Sequence, residues 1–190
     1  SVKAPDMLGA YILEGSKAGA TAAAVWTAHR VLPLNVTGYG QLIGASIEAA
    51  QRFREFLGQL SFTVKGKTIE VHPLNHPDFN MVDWVFKVQD CTDLKKINDL
   101  NEKMFDVSSY MDGDVYDERF ITSHTTFTKA DYGDSPVKFI ESLGLSKEEW
   151  QKEQQVTLLR AAIMTPYLND DKIFKFYTDA ITKAIEKKLN

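Results

Sequence analysis

Three places in this 190-residue chain carry side chains suited to chemistry. The stretch LEGSKAGAT (13–21) sets Gly15, Ser16, Lys17 and Gly19 between an apolar run and an alanine-rich one. Where a strand turns into a helix, such a turn offers unpaired backbone N–H groups, the helix dipole, a hydroxyl and a cation, which together suit a phosphate. The same residues also suit a plain Ser N-cap with glycines that permit tight packing. The spacing is neither GxGxxG nor GxxxxGK[ST], so those nucleotide loops are not indicated. Arg160 stands alone in VTLLRAAIM (156–164), where a buried charge is costly unless paired, so its head should reach solvent or a carboxylate. His124 in TSHTTF carries an imidazole, a group suited to acid–base work, or serves as a hydrogen-bonded structural group. His29, His72 and His76 show no ligand spacing, and no metal is predicted.

The elements that must position these groups follow from periodicity. Leu8–Leu13 (LGAYIL) is short, apolar and bounded by glycines, a strand, and Ser16 to about Leu32 is a helix ended by Pro33. NVTGYG (35–40) is a loop. Gln41 to Leu60 repeats Ile43, Ile47, Ala50, Phe53 and Leu57 at helical spacing. SFTVKGKTIEV (61–71) reads as a β-hairpin with Phe62, Val64, Ile69 and Val71 on one side. Met81–Val88 is a strand, Asp93–Met111 a helix with Leu94, Ile97, Leu100 and Met104 inward, and Arg119–Phe127 is β-rich. Ser146 and Glu149 have capping-box spacing before Trp150. Val156–Met164 is a strand broken by Pro166, and Asn169 opens a final helix. Phe53, Trp84, Phe174 and Tyr177 read as core. Asp131 to Asp134, with Pro136, reads as an ordinary loop.

Composition bounds the function. With 44% hydrophobic and 25% charged residues the chain has the make-up of a folded globular protein. A net charge of −4 argues against a sequence-independent nucleic-acid binder, and the Lys187–Lys188 pair is too small to reverse that. One cysteine, Cys91, forms no internal disulfide, which points to a reducing compartment, the cytoplasm. No apolar run approaches a membrane span, and SVKAPDMLG has no signal-peptide core. Residues 1–40 form a strand-turn-helix that belongs to a larger sheet, and residues 41–190 suffice for an α+β unit.

The run LGAYILEGSKAGATAAAVWTAHRVLPLNVTGYG, followed in order by PDFNMVDW, SHTTF and LLRAAIMTPYL, resembles the C-terminal third of the bacterial tyrosine decarboxylases. These are group II decarboxylases that use pyridoxal 5′-phosphate (PLP) and share the fold type I architecture of aspartate aminotransferase. The resemblance implies an α/β protein whose residues 1–40 are the tail of the large PLP-binding domain. Residues 41–190 become the C-terminal small α+β domain, with helices packed on a mixed or antiparallel sheet. It implies a homodimer in which Gly15, Ser16 and Lys17 bind the PLP phosphate of the neighbouring subunit. Lys17 stands where many relatives carry arginine. Arg160 is then expected to hold the α-carboxylate of an amino-acid substrate, for which a guanidinium fork is apt. Ala162 and Ile163 would lie near the pocket.

The same resemblance marks what the sequence lacks. The family's Schiff-base lysine follows a histidine, and no His-Lys pair occurs here. The aspartate that pairs the pyridinium nitrogen and the histidine that stacks on the ring also lie upstream of the matching region. The chain therefore reads as part of a decarboxylase that makes tyramine and carbon dioxide from tyrosine, inactive alone, and no catalytic residue is assigned beyond His124. The alternatives are another group II decarboxylase such as a glutamate decarboxylase, a non-catalytic oligomerisation or partner-binding module, and a free-standing anion-binding protein.

Overall fold

A computed structural model describes residues 18–74, 76–108 and 122–189, and the chain divides into two units, Ser1–Leu42 and Ile43–Asn190. The strand expected over Leu8–Leu13 and the turn residues Gly15, Ser16 and Lys17 lie outside the described residues. In the first unit, helix α1 (Gly19–Val31) follows Ala18, an extended N-cap without a side-chain bond. Alanine-rich composition favours this helix. It stops because Leu32, preceding Pro33, leaves the helical region. The carboxamide of Asn35 then accepts from the N–H groups of Thr37 and Gly38, folding a turn. Gly38 is obligatory there, since a Cβ at this position would sit 2.0 Å from the Pro33 carbonyl oxygen. Helix α2 (Tyr39–Leu57) starts in this unit and continues into the second.

The second unit is built on a five-stranded antiparallel sheet of order β1-β2-β3-β5-β4. Its strands are β1 (Ser61–Val64), β2 (Lys67–Pro73), β3 (Met81–Val88), β4 (Ser123–Thr128) and β5 (Gln155–Ala162). Strands β1 and β2 form the expected hairpin, closed by Lys65 and Gly66 at φ 50° and 77°. A two-residue turn with both φ values positive matches the twist of the strands it joins. Phe62, Val64, Ile69 and Val71 are all buried on the predicted side. Three short helices, α4 (Lys129–Tyr132), α5 (Val137–Ser142) and α6 (Lys147–Glu153), follow β4, so the segment read as loop at Asp131 is partly helical. Helix α7 (Asp171–Leu189) ends the fold.

Each face of the sheet has its own core. On one, α2 residues Ala49, Ala50, Phe53 and Leu57 and α7 residue Ile185 pack with Val82, Trp84, Phe86 and Leu159. On the other, α5 and α6 bring Phe139, Ile140 and Trp150 onto Val85, Val156 and Leu158. Helix α3 (Leu94–Asp106) serves both, giving Met104 to the first and Leu94 and Ile97 to the second. It can do so because β3 and β5 pair only from Met81–Ala162 to Trp84–Leu159. Extending that register would set Phe86 opposite Thr157. There α3 intervenes. Asn101 accepts from the Phe86 N–H at 2.7 Å and donates to its carbonyl at 2.9 Å. Asn98 accepts from the Thr157 N–H at 2.9 Å and donates to the Gln155 carbonyl at 3.0 Å.

Several local expectations are corrected. Ile43 is 54% exposed and Tyr177 50%, so neither belongs to the core of this unit. Helix α3 ends at Asp106, well before Met111. Ser146 makes no N-terminal cap bond, and its would-be capping-box partner Glu149 instead accepts from the Leu94 N–H at 3.1 Å, capping α3. The last helix is capped by Asp170, which accepts from the Lys172 and Ile173 N–H groups, while Asn169 ends a separate 3₁₀ turn (Pro166–Asn169). Arg52 ties α2 to this region through the Asn169 carbonyl and Asp171. Among the described residues no helix is long and apolar enough to cross a membrane.

Replacing Asn101 with Ala leaves a buried strand N–H and carbonyl without partners, and should lower stability by about 2–4 kcal/mol. Denaturant titration checks this against Asp99→Ala, which removes an exposed pair with Lys95 and should leave stability nearly unchanged.

Candidate functional site

Strand β5 carries Arg160 at the row where three strands pair: Asp83 of β3 on one side and Ser123 of β4 on the other. The backbone there is held from outside the ladder as well. Thr122 Oγ1 and Ser123 Oγ donate to the Arg160 carbonyl at 2.8 and 3.2 Å. The side chain is fixed by Asp83 through two parallel bonds, Nε to Oδ1 at 2.7 Å and Nη2 to Oδ2 at 2.9 Å. This is the fork geometry in which arginine and carboxylate match best. The hydrogen bond to Asp83 raises the Arg160 pKa above its already high ordinary value, so the guanidinium stays charged. The side chains are unequally covered: Asp83 is 12% exposed and Arg160 31%. The guanidinium thus lies at the rim, with Nη1 making no hydrogen bond among the described residues.

The other candidates are not all gathered here. Alternation along β5 puts Ala162 on the side of Arg160, exposed, opposite Met81. Ile163, expected near the pocket, instead packs in the core with Val82 and Trp84, and its N–H donates to the Asn80 carbonyl. His124 pairs with Leu159, one residue out of step with Arg160, and so faces the opposite side of the sheet. Its ring lies on Phe105, centroids 3.9 Å apart. The structure does not bring His124 and Arg160 together. Asp83 is the residue that sequence reading missed. Its signal was a carboxylate inside the apolar strand MVDWVFKV, but its partner lies 77 positions away.

Comparison with known proteins then gives this geometry a family. A family model described as tyrosine decarboxylase, C-terminal, matches residues 49–189. Over all 190 residues the chain is 88% identical to an L-tyrosine decarboxylase of Enterococcus faecium, of which it covers 31%. It is 59% identical to the L-tyrosine decarboxylase of Enterococcus faecalis and 55% identical to that of Levilactobacillus brevis, in each case over 97% of this chain and 30% of the relative. The chain belongs to the tyrosine decarboxylase C-terminal family. It spans just under a third of the length of the curated relatives it matches.

Removing Arg160 alone strands the mostly covered carboxylate of Asp83, so Arg160→Met should cost about 1–3 kcal/mol. The double variant Asp83→Leu with Arg160→Met should lose less than the sum of Asp83→Leu and Arg160→Met taken singly. A double-mutant cycle by denaturant titration measures the difference.

Proposed function

We propose that this chain is the C-terminal part of a PLP-dependent tyrosine decarboxylase, acting in the cytoplasm as a homodimer that converts tyrosine to tyramine and carbon dioxide. The observation that carries the reading is the 88% identity to an L-tyrosine decarboxylase across the whole chain. The described residues bear on PLP at one point. Among the described residues, helix α1 begins with no side-chain cap and no acidic residue in its first turn, and beyond its own chain neighbours and helix backbone none comes within 4 Å of where a Gly19 Cβ would stand. An open, uncapped helix start is compatible with an anion, and the donor set just before it, Gly15, Ser16 and Lys17, fits a phosphate. These residues complete the cofactor site of the neighbouring subunit. Residues Val25, Trp26 and Val31 of α1 are exposed, which suits a helix that meets a partner.

Bound PLP supplies the electron sink for the charge left on the α-carbon as carbon dioxide departs. The work of this chain is to bind and orient. Arg160 holds the substrate α-carboxylate with the donors that Asp83 leaves open, and Ser16 and Lys17 hold the phosphate. The small domain keeps Arg160 in place through β3 and β4. The Schiff-base lysine is supplied by the part of the enzyme outside this sequence.

The full-length protein should form tyramine from tyrosine only when PLP is supplied. Ser16→Ala should weaken PLP binding, measured by fluorescence titration, by about tenfold, the usual worth of a hydrogen bond to a charged group, and should leave binding of unphosphorylated pyridoxal unchanged. Absence of tyramine from a folded, PLP-loaded protein would refute the reading.

A further inference from the structure

The Arg160–Asp83 pair is held more tightly than packing accounts for. A pair serving stability alone would not need the additional fixing seen around Arg160. Its backbone lies between two paired strands, its carbonyl accepts from two hydroxyls, and its Nε and Nη2 are both tied to one carboxylate. Together these fix the backbone and tie Nε and Nη2 to Asp83, and the edge at Nη1 has no hydrogen-bond partner among the described residues.

We infer that Asp83 is a positioning residue: it holds the Arg160 guanidinium in a fixed plane, so that its remaining N–H groups meet a carboxylate ligand in one orientation. The inference rests on the carboxylate role proposed above for Arg160. A free arginine side chain has several rotatable bonds and their rotamer entropy to lose on binding; one already bonded through Nε and Nη2 has lost much of it in the fold. Asp83 also offsets the charge of Arg160. An incoming carboxylate is then selected by the direction of the remaining donors more than by net charge, and an anion approaching from another angle gains little. The position of Asp83 serves this purpose. It sits on the neighbouring strand in register with Arg160, so the spacing between the two backbones is set by the β3–β5 ladder and cannot drift independently of the sheet.

The test uses the full-length, PLP-loaded enzyme and two inhibitors. One is p-hydroxyphenylpropionate, which has the carboxylate of tyrosine and no amine; the other is tyramine, which has the amine and no carboxylate. Asp83→Ala should weaken inhibition by the propionate about tenfold, as expected for loss of order in a charge-assisted bond, and shift tyramine by less than about twofold. Asp83→Asn, which keeps one acceptor and the side-chain shape, should fall between wild type and Asp83→Ala. It decides the matter if the alanine variant does not fold. Equal weakening of both inhibitors, or unchanged inhibition by the propionate in both Asp83 variants, overturns the inference. Arg160→Met separates the two ideas. If it abolishes propionate binding while the Asp83 variants bind normally, the carboxylate role of Arg160 stands and positioning by Asp83 fails. If Arg160→Met leaves propionate binding intact, both fail.

Discussion

Beyond Trp84 and Leu159 the ladder between β3 and β5 stops, and the carboxamides of Asn98 and Asn101 take over its hydrogen bonds. Much else depends on that substitution. A strand that parts from its neighbour inside a protein exposes N–H and carbonyl groups that must be paired, at about 1–3 kcal/mol for each one left over. A carboxamide carries one acceptor and two donors, so it can close both groups of a facing residue as a strand would. Because α3 does this from within the gap, it reaches the cores on both faces of the sheet. The N-terminus of α3 is in turn fixed by Glu149 of α6, so the helix on one face helps to set the wedge.

The consequence for Arg160 is geometric. Strand β5 is paired with β4 along Gln155–Arg160 but with β3 only over Leu159–Ala162. The overlap is the short stretch at Leu159 and Arg160, and Arg160 sits in it on the side away from the core of α2 and α7. Had the β3–β5 ladder run its full length, α3 could not insert. Where it ends, the site begins to be independent of the packing further along. The row Asp83, Arg160, Ser123 is thus the last part of β5 held on both edges by strands. That is a rigid place to mount a charged side chain.

Local signals were legible where the physics is local. Alternation about Lys65 and Gly66 gave the hairpin, and the charge inside VTLLRAAIM singled out Arg160 as a head that must reach solvent or a carboxylate; it meets the carboxylate of Asp83. What escaped was set by pairing at long range. Asp83 looked like one polar position of an alternating strand, and only the register of β3 against β5 makes it the partner of Arg160. Asn98 and Asn101 lie three apart beside Ile97 on the apolar side of α3, and their presence there was the available sign of a polar task within the core. The capping-box spacing at Ser146 misled because Glu149 had a better use on another helix. Tyr177 and Ile43 obeyed helical periodicity yet stay exposed, since periodicity gives a face and not what covers it.

A partly buried ion pair is a poor way to gain stability. Desolvation takes back much of the attraction, and well-packed apolar side chains of similar size often do as well or better. The sheet around Asp83 and Arg160 shows how readily this chain could have taken that course: Val82, Trp84, Leu158 and Leu159 flank the pair and are all buried. A charged pair kept at the rim, with the carboxylate covered and part of the guanidinium open, is better explained by what the open part can meet. The covered partner fixes direction, the open edge supplies donors, and both follow from a register that the antiparallel sheet enforces. In the proposed enzyme this would be the small domain's contribution to recognition, one fixed cation, and the strands on either side of β5 are the means of fixing it.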